Sequence, residues 1–161
     1  IMEPRASTPS RRLLALKALS DAGIPTSVMF APTIPGLNDH EMDAVLAAGR
    51  AAGADSAAYV MLRLPLEVKD LFREWLLAAV PHRAARVMSL VRSMRGGKDY
   101  DSEWRTRQRG EGPIADAVRD RFRLATKRLG FNEDTPELDC AQFRVPPASE
   151  RGRETRQLSL F

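Results

Sequence analysis

Cysteine is almost missing from this 161-residue chain: Cys140 is the only one, so no internal disulfide can form. Long apolar runs are missing too. Nothing reaches the length of a membrane-spanning helix and the start lacks the pattern of a signal peptide, so the expected compartment is the cytoplasm. No internal repeat is present, and the apolar residues thin out after about residue 130. What remains is 43% hydrophobic, enough for one domain with a core, and carries a net charge of +4. That balance favours polyanionic partners such as nucleic acid, but only weakly.

The stretch Thr26 to Asp39 organises the rest. Its first residues, Thr26-Ser27-Val28-Met29-Phe30-Ala31, are a short apolar run that predicts a buried strand. Pro32-Thr33-Ile34-Pro35-Gly36-Leu37 breaks it into a loop, and Asn38-Asp39 stands directly before a helical pattern. Strand ends that pass into loops are where α/β proteins hold ligands, so this is the first place to look for chemistry.

A helix is expected ahead of it. Thr8-Pro9 supplies a hydroxyl N-cap and a first-turn proline, Leu13, Leu14, Leu16 and Leu19 an apolar stripe, and Gly23 a left-handed stop. No strand precedes that helix and the chain opens on Ile1, from which we expect a fragment whose N-terminal part is missing. After the loop, Asn38 with Glu41 has capping-box spacing for a second helix. Met42, Val45 and Leu46 face inward there, Gly49 permits close packing on a sheet, and Gly53 ends the helix. A second strand is expected over about 56–62, giving a βαβ unit with parallel strands and with loops 32–38 and 63–67 on one edge.

Three more helices follow: about 67–79 with Val68, Leu71, Phe72, Trp75 and Leu76 buried, about 83–94 beyond Pro81, and one from Pro113 to Gly130 with Ile114, Val118, Phe122, Leu124 and Leu129 as apolar positions. Phe143-Arg144-Val145 suggests a short packed piece, and residues 146–156 read as disordered.

The loop PTIPGLND resembles the fifth-strand motif of radical-SAM enzymes, of the form GxIxGxxE. Ile34 takes the isoleucine position and Gly36 the second glycine, whereas Pro32 departs from the first glycine and Asp39 from the glutamate. Together with EPRASTPSRRLLALKAL, YVMLRLPLEVKDLFREWL and RGGKDYDSEWRTRQRGEG, it makes residues 2 to 145 similar to the group of radical-SAM proteins around spore photoproduct lyase, described as DNA-repair-photolyase-like.

The resemblance implies an α/β fold: the C-terminal part of a partial (β/α) barrel of the radical-SAM type, then a helical extension and a disordered tail. The implied organisation is barrel half over 1–95, basic loop and extension over 96–145, and flexible tail over 146–161. It also implies S-adenosylmethionine and a 4Fe-4S cluster in the full-length parent. The family's three-cysteine loop is absent here, and one cysteine cannot replace it, so neither group is expected to bind stably to this chain. The missing N-terminal half of the barrel would be a partner.

By the same resemblance, Ile34 would lie on the adenine of the cofactor and Gly36 would allow close backbone approach, with Asn38 at the loop's end. Leu62 and Arg63 would touch the adenine edge and Arg5 would pair with the methionine carboxylate. The alternative is a proline-stiffened loop with a helix cap, and for Arg5 an exposed charge near a chain end. No catalytic residue is identified, and Asp39, His40 and Glu41 read as first-turn residues of a helix rather than metal ligands.

Lys98, Tyr100, Trp104, Arg105, Arg107 and Arg109 interleave cations with aromatic rings, a pattern for phosphate contacts and base stacking. Asp99, Asp101 and Glu103 dilute that charge, and the alternative is a solvated loop with Trp104 in the core. Gln157-Leu158-Ser159-Leu160-Phe161 resembles the short peptide by which bacterial replication and repair proteins bind the DNA sliding clamp, with the polar linker before it as a tether. Two functions compete: part of a radical-SAM enzyme acting on nucleic acid, with photoproduct-type repair as one reaction, or a non-catalytic DNA- or clamp-binding module.

Overall fold

The computed structural model describes residues 5–133, 141 and 143–145. Helix α1 (Pro9–Asp21) starts as its sequence indicates: the Thr8 hydroxyl accepts the Arg11 N–H at 3.4 Å. Its end is a Schellman turn, with the Gly23 N–H on the Ser20 carbonyl and the Ile24 N–H on that of Leu19, and Gly23 at φ +75°. The expected apolar stripe does not become core. No α1 residue is fully buried, and Leu14 and Leu19 are 68% and 46% exposed.

Strands β1 (Ser27–Thr33) and β2 (Ser56–Met61) form a two-stranded parallel sheet, with Ser27 opposite Ser56 and Phe30 opposite Tyr59. β1 runs two residues further than the apolar run predicts, through the cis Ala31–Pro32 bond and a register shift after Phe30. Helix α2 (Met42–Ala51) connects the strands and buries Met42, Leu46 and Gly49. A Cβ on Gly49 would stand 3.1 Å from the Val28 side chain, so the glycine does let helix and sheet close up. Asn38 does not cap α2: a 3-10 turn (Asp39–Glu41) intervenes and no side chain caps either piece, because the Asn38 amide is bound to the loop before it.

Helices α3 (Val68–Ala79) and α4 (Pro81–Ser93) pack on each other beyond β2, and α5 (Pro113–Leu129) lies against α2 and the sheet. Pro81 is the first residue of α4 rather than a spacer before it. The core has two parts. Phe30, Met42, Leu46, Met61, Val118 and Phe131 form one, between the sheet, α2 and α5. Ile34, Leu64, Phe72, Leu76, Val87 and Val91 form the other, under the β1 loop between α3 and α4. Each such side chain contributes about 1.5–3 kcal/mol by leaving water.

Several apolar positions stay outside. On α3 only Phe72 and Leu76 are fully buried; Val68 and Leu71 are 41% and 61% exposed because α4 covers a single stripe. Leu124 is 60% exposed, two residues and so about half a turn from Phe122, which packs on the sheet. Phe143 and Val145 are also exposed, so the expected packed piece does not form there.

The two edges of the sheet differ. On the outer edge of β2, the Asn132 side chain bonds both backbone groups of Ala57, and the Gln108 carbonyl accepts the Met61 N–H. Among the described residues no backbone hydrogen bond reaches the outer edge of β1. Beside it lies a hollow of about 400 Å³ lined by residues of α1, β1 and α2.

Candidate functional site

The parallel pairing brings both strand ends together, and the Leu62 N–H donates to the Thr33 carbonyl at 2.9 Å. The loop after β1 closes on itself. Asn38 Oδ1 accepts the Ile34 N–H at 2.7 Å, Asn38 Nδ2 donates to the Pro32 carbonyl at 3.0 Å, and Asp39 Oδ1 accepts the Gly36 N–H at 2.9 Å. Ile34 is 2% exposed inside the α3–α4 core, so its side chain presents no face that a ring can reach. Gly36 has φ +75°, and the group that approaches it is Leu90, whose Cδ1 lies 2.9 Å from where a Cβ would be. In this conformation both motif residues serve packing.

Leu62 is buried, and Arg63 is half-buried with Nη2 3.4 Å from the Tyr100 hydroxyl and Nε enclosed without a partner. Arg5 sits exposed in a turn before α1, and no hydrogen bond or ion pair joins it to these loops.

The segment after α4 is held from within by Arg95, which is 3% exposed. Its guanidinium donates to the Thr106 carbonyl at 2.6 Å and to the Leu62 carbonyl at 3.0 Å. Burial pulls its pKa below the ordinary arginine value, and the nearby Asp101 and Tyr100 oppose that shift. Asp101 accepts the Glu103 N–H and the Thr106 hydroxyl, bonds that hold its carboxyl below the usual range. Asp99 accepts from both Arg73 of α3 and Arg92 of α4.

Asp99 therefore pairs with two helix arginines rather than with the cations of its own loop, whereas Asp101, held in a turn by neutral donors, keeps its charge and interacts with Lys98 and Arg95. Lys98, Arg105 and Arg109 are exposed and have no ion-pair partner among the described residues. Trp104 is 77% exposed, and the Arg107 guanidinium lies 4.0 Å from its ring centroid. The expectation that placed Trp104 in the core does not hold. The structure thus sets one cation of the loop, Arg107, against an exposed ring.

Among the described residues no group of three or more His, Cys, Asp and Glu side chains could hold a metal ion. Cys140 and Gln157, Leu158, Ser159, Leu160 and Phe161 lie outside the described residues. No described helix is long and apolar enough to cross a membrane. The chain has no significant match among protein-family models, curated proteins or solved structures.

Sequence reasoning missed Arg95, Asp99 and Asn132. A charged residue next to the Gly96-Gly97 stop reads as solvated, and nothing in its neighbours marks it as buried. Asn132, two residues past the terminating Gly130, carries one usable signal: asparagine tolerates the left-handed backbone it adopts, at φ +61°.

Proposed function

We propose that this chain is a nucleic-acid-binding part of a radical-SAM-type protein. The observation that carries the binding role is the loop at 98–109: an exposed indole stacked by Arg107, in a segment whose Lys98, Arg105 and Arg109 are exposed and have no ion-pair partner among the described residues. Free cations supply salt-sensitive phosphate contacts, and the indole's other face is open for a base. The test is fluorescence anisotropy with labelled single-stranded and duplex DNA. Trp104→Ala with Arg107→Ala is expected to weaken binding to the single strand; unchanged affinity discards the role.

The difference between the sheet edges favours the barrel. β2 is closed by Asn132 and Gln108, so further strands can join only beside β1, as they would if β1 and β2 were the last two strands of a partial (β/α) barrel. The 4Fe-4S cluster does not fit this chain, which has a single cysteine, so no chemical step is derived through it. In this reading Ile34 and Gly36 shape the cofactor's end of the sheet from within the core, and contact with S-adenosylmethionine falls to the backbone around Leu62 and Arg63 and to Arg5. In the barrel this reading requires, Arg5→Ala should weaken S-adenosylmethionine binding by calorimetry, and an unchanged affinity counts against it.

The peptide at 157–161 adds recruitment to a bacterial sliding clamp. Leu158, Leu160 and Phe161 would fill apolar pockets, and Gln157 would make polar contacts at their entrance. Calorimetry of the clamp with the chain and with a version ending at Arg156 tests this. Equal heats from the two, or none from either, remove the proposal.

A further inference from the structure

On the far side of the 34–39 loop, α4 and α5 enclose a groove made of two adjoining hollows of about 260 and 410 Å³. Both are lined by Gly36, Asp39 and Arg86. The groove has two chemically distinct parts. Its inner wall is apolar and includes Leu90 of α4 and Ile114 of α5. Its mouth is basic: across the two hollows three arginines meet one carboxylate, Asp39.

Asp39 keeps its charge while it accepts the Gly36 N–H, and so offsets part of this positive charge. Arg121 is matched separately by Asp43, and His40 stands 3.9 Å from Glu41. The cations left over stand on α4. The side chains of Arg83 and Arg86 have no ion-pair or hydrogen-bond partner among the described residues, although both line the groove. Arg83, Arg86 and Leu90 stand at i, i+3 and i+7 on α4, so the two guanidiniums and the apolar wall form one ridge.

We propose that this groove binds a nucleoside monophosphate, with the phosphate between Arg83 and Arg86 and the base against Leu90 and Ile114. Unpaired guanidiniums match a phosphate by charge and by their planar donor fork. A largely apolar wall with a few polar groups at one end is how small-ligand clefts are generally built, and the two hollows together have the size of such a cleft. The proposal does not depend on the nucleic-acid role of the 98–109 loop, which uses other residues.

The experiment is a titration of the ¹⁵N-labelled chain with adenosine 5′-monophosphate, adenosine and inorganic phosphate, followed by amide NMR. The monophosphate is expected to shift Gly36, Leu90 and Ile114, and adenosine or phosphate alone to bind at least about tenfold more weakly. Arg83→Gln with Arg86→Gln should weaken the monophosphate about tenfold or more, since each lost charged hydrogen bond is worth that much. Both side chains are exposed, so the fold should survive, and unchanged spectra elsewhere verify it. Arg105→Gln with Arg109→Gln should leave this binding as it was. No binding, equal binding in the Arg83/Arg86 variant, equal loss in the Arg105/Arg109 variant, or phosphate binding as tightly as the monophosphate would each overturn the site.

Discussion

The Asn132 side chain occupies the place of a strand beside Ala57: its Oδ1 accepts the Ala57 N–H at 3.0 Å and its Nδ2 donates to the Ala57 carbonyl at 3.2 Å. The Asn132 N–H adds a bond to the Asp55 carbonyl at 3.1 Å. One residue after α5 thereby closes the edge of β2 and fixes the helix to the sheet. Parallel edges left open invite further pairing, so this contact also decides where the sheet stops.

Replacing Asn132 by alanine leaves both Ala57 groups without these partners and places a Cβ-bearing residue that lacks asparagine's tolerance at φ +61°. The expected loss is about 2–4 kcal/mol, read from urea unfolding. Asn132→Gly relieves the backbone part alone, so it should recover about 1 kcal/mol of that loss. An alanine variant as stable as the parent would mean that water satisfies this edge equally well.

Gly49 separates two effects of opposite sign. In an exposed helix interior, glycine to alanine gains about 1 kcal/mol. Here the new Cβ would meet three atoms of the Val28 side chain at 3.1–3.2 Å, and Val28 would have to move toward the hollow beside β1 to admit it, at a packing cost that opposes the helix gain. Gly49→Ala is expected to lower the melting temperature, and adding Val28→Ala to restore it. A stabilised single variant would show that α2 can shift outward without loss.

This close approach was legible in the sequence, because Gly49 continues the Met42–Leu46 face. So was the parallel β1–α2–β2 unit, whose short apolar runs are bounded by glycine and proline. The buried extent of α1 and α3 was not. An apolar stripe reports which face a helix turns inward, not how much partner surface awaits it, and Leu14 and Leu71 remain exposed for that reason. The loop motif was legible as a loop but not in its wiring: Asn38 bonds back to Pro32 and Ile34 rather than forward to a helix, and both directions are open to an asparagine side chain. At 98–109 the interleaved charges were readable, but which acid meets which base depends on α3 and α4 delivering Arg73 and Arg92 to Asp99.

Asp43 joins α2 to α5 through Arg121 at 2.6 Å and Arg128 at 3.0 Å. The hydrogen bond from Arg121, more than that from Arg128, holds its carboxyl below the ordinary value of 3.8 despite some desolvation. A depressed folded-state pKa stabilises above the unfolded pKa, and the stability is lost as pH falls through the folded value. Melting temperature should therefore decline below about pH 4, and less steeply in Asp43→Asn. Asp101 is shifted in the same direction, so the comparison includes Asp101→Asn. An Asp43→Asn profile parallel to the parent's through this window would remove the linkage.

Asp99 holds Arg92 and, together with Asp70, Arg73, and so offsets positive charge beside the 98–109 loop. Asp99→Asn removes one negative charge while retaining an amide able to accept one hydrogen bond, and Arg73 keeps Asp70. If the 98–109 loop binds nucleic acid electrostatically, the freed Arg92 guanidinium should tighten DNA binding at low salt and steepen its salt dependence by about one unit of slope per added phosphate contact. Trp104→Ala should behave differently: it lowers affinity for single-stranded DNA by about 1–3 kcal/mol and leaves the slope unchanged, because stacking releases no counterions. Anisotropy titrations of both variants at several salt concentrations separate the two contributions. If Asp99→Asn left affinity and slope alone, the positive field of this face would not reach the ligand. If Trp104→Ala weakened duplex and single strand equally, the indole would be an electrostatic spacer and not a stacking platform.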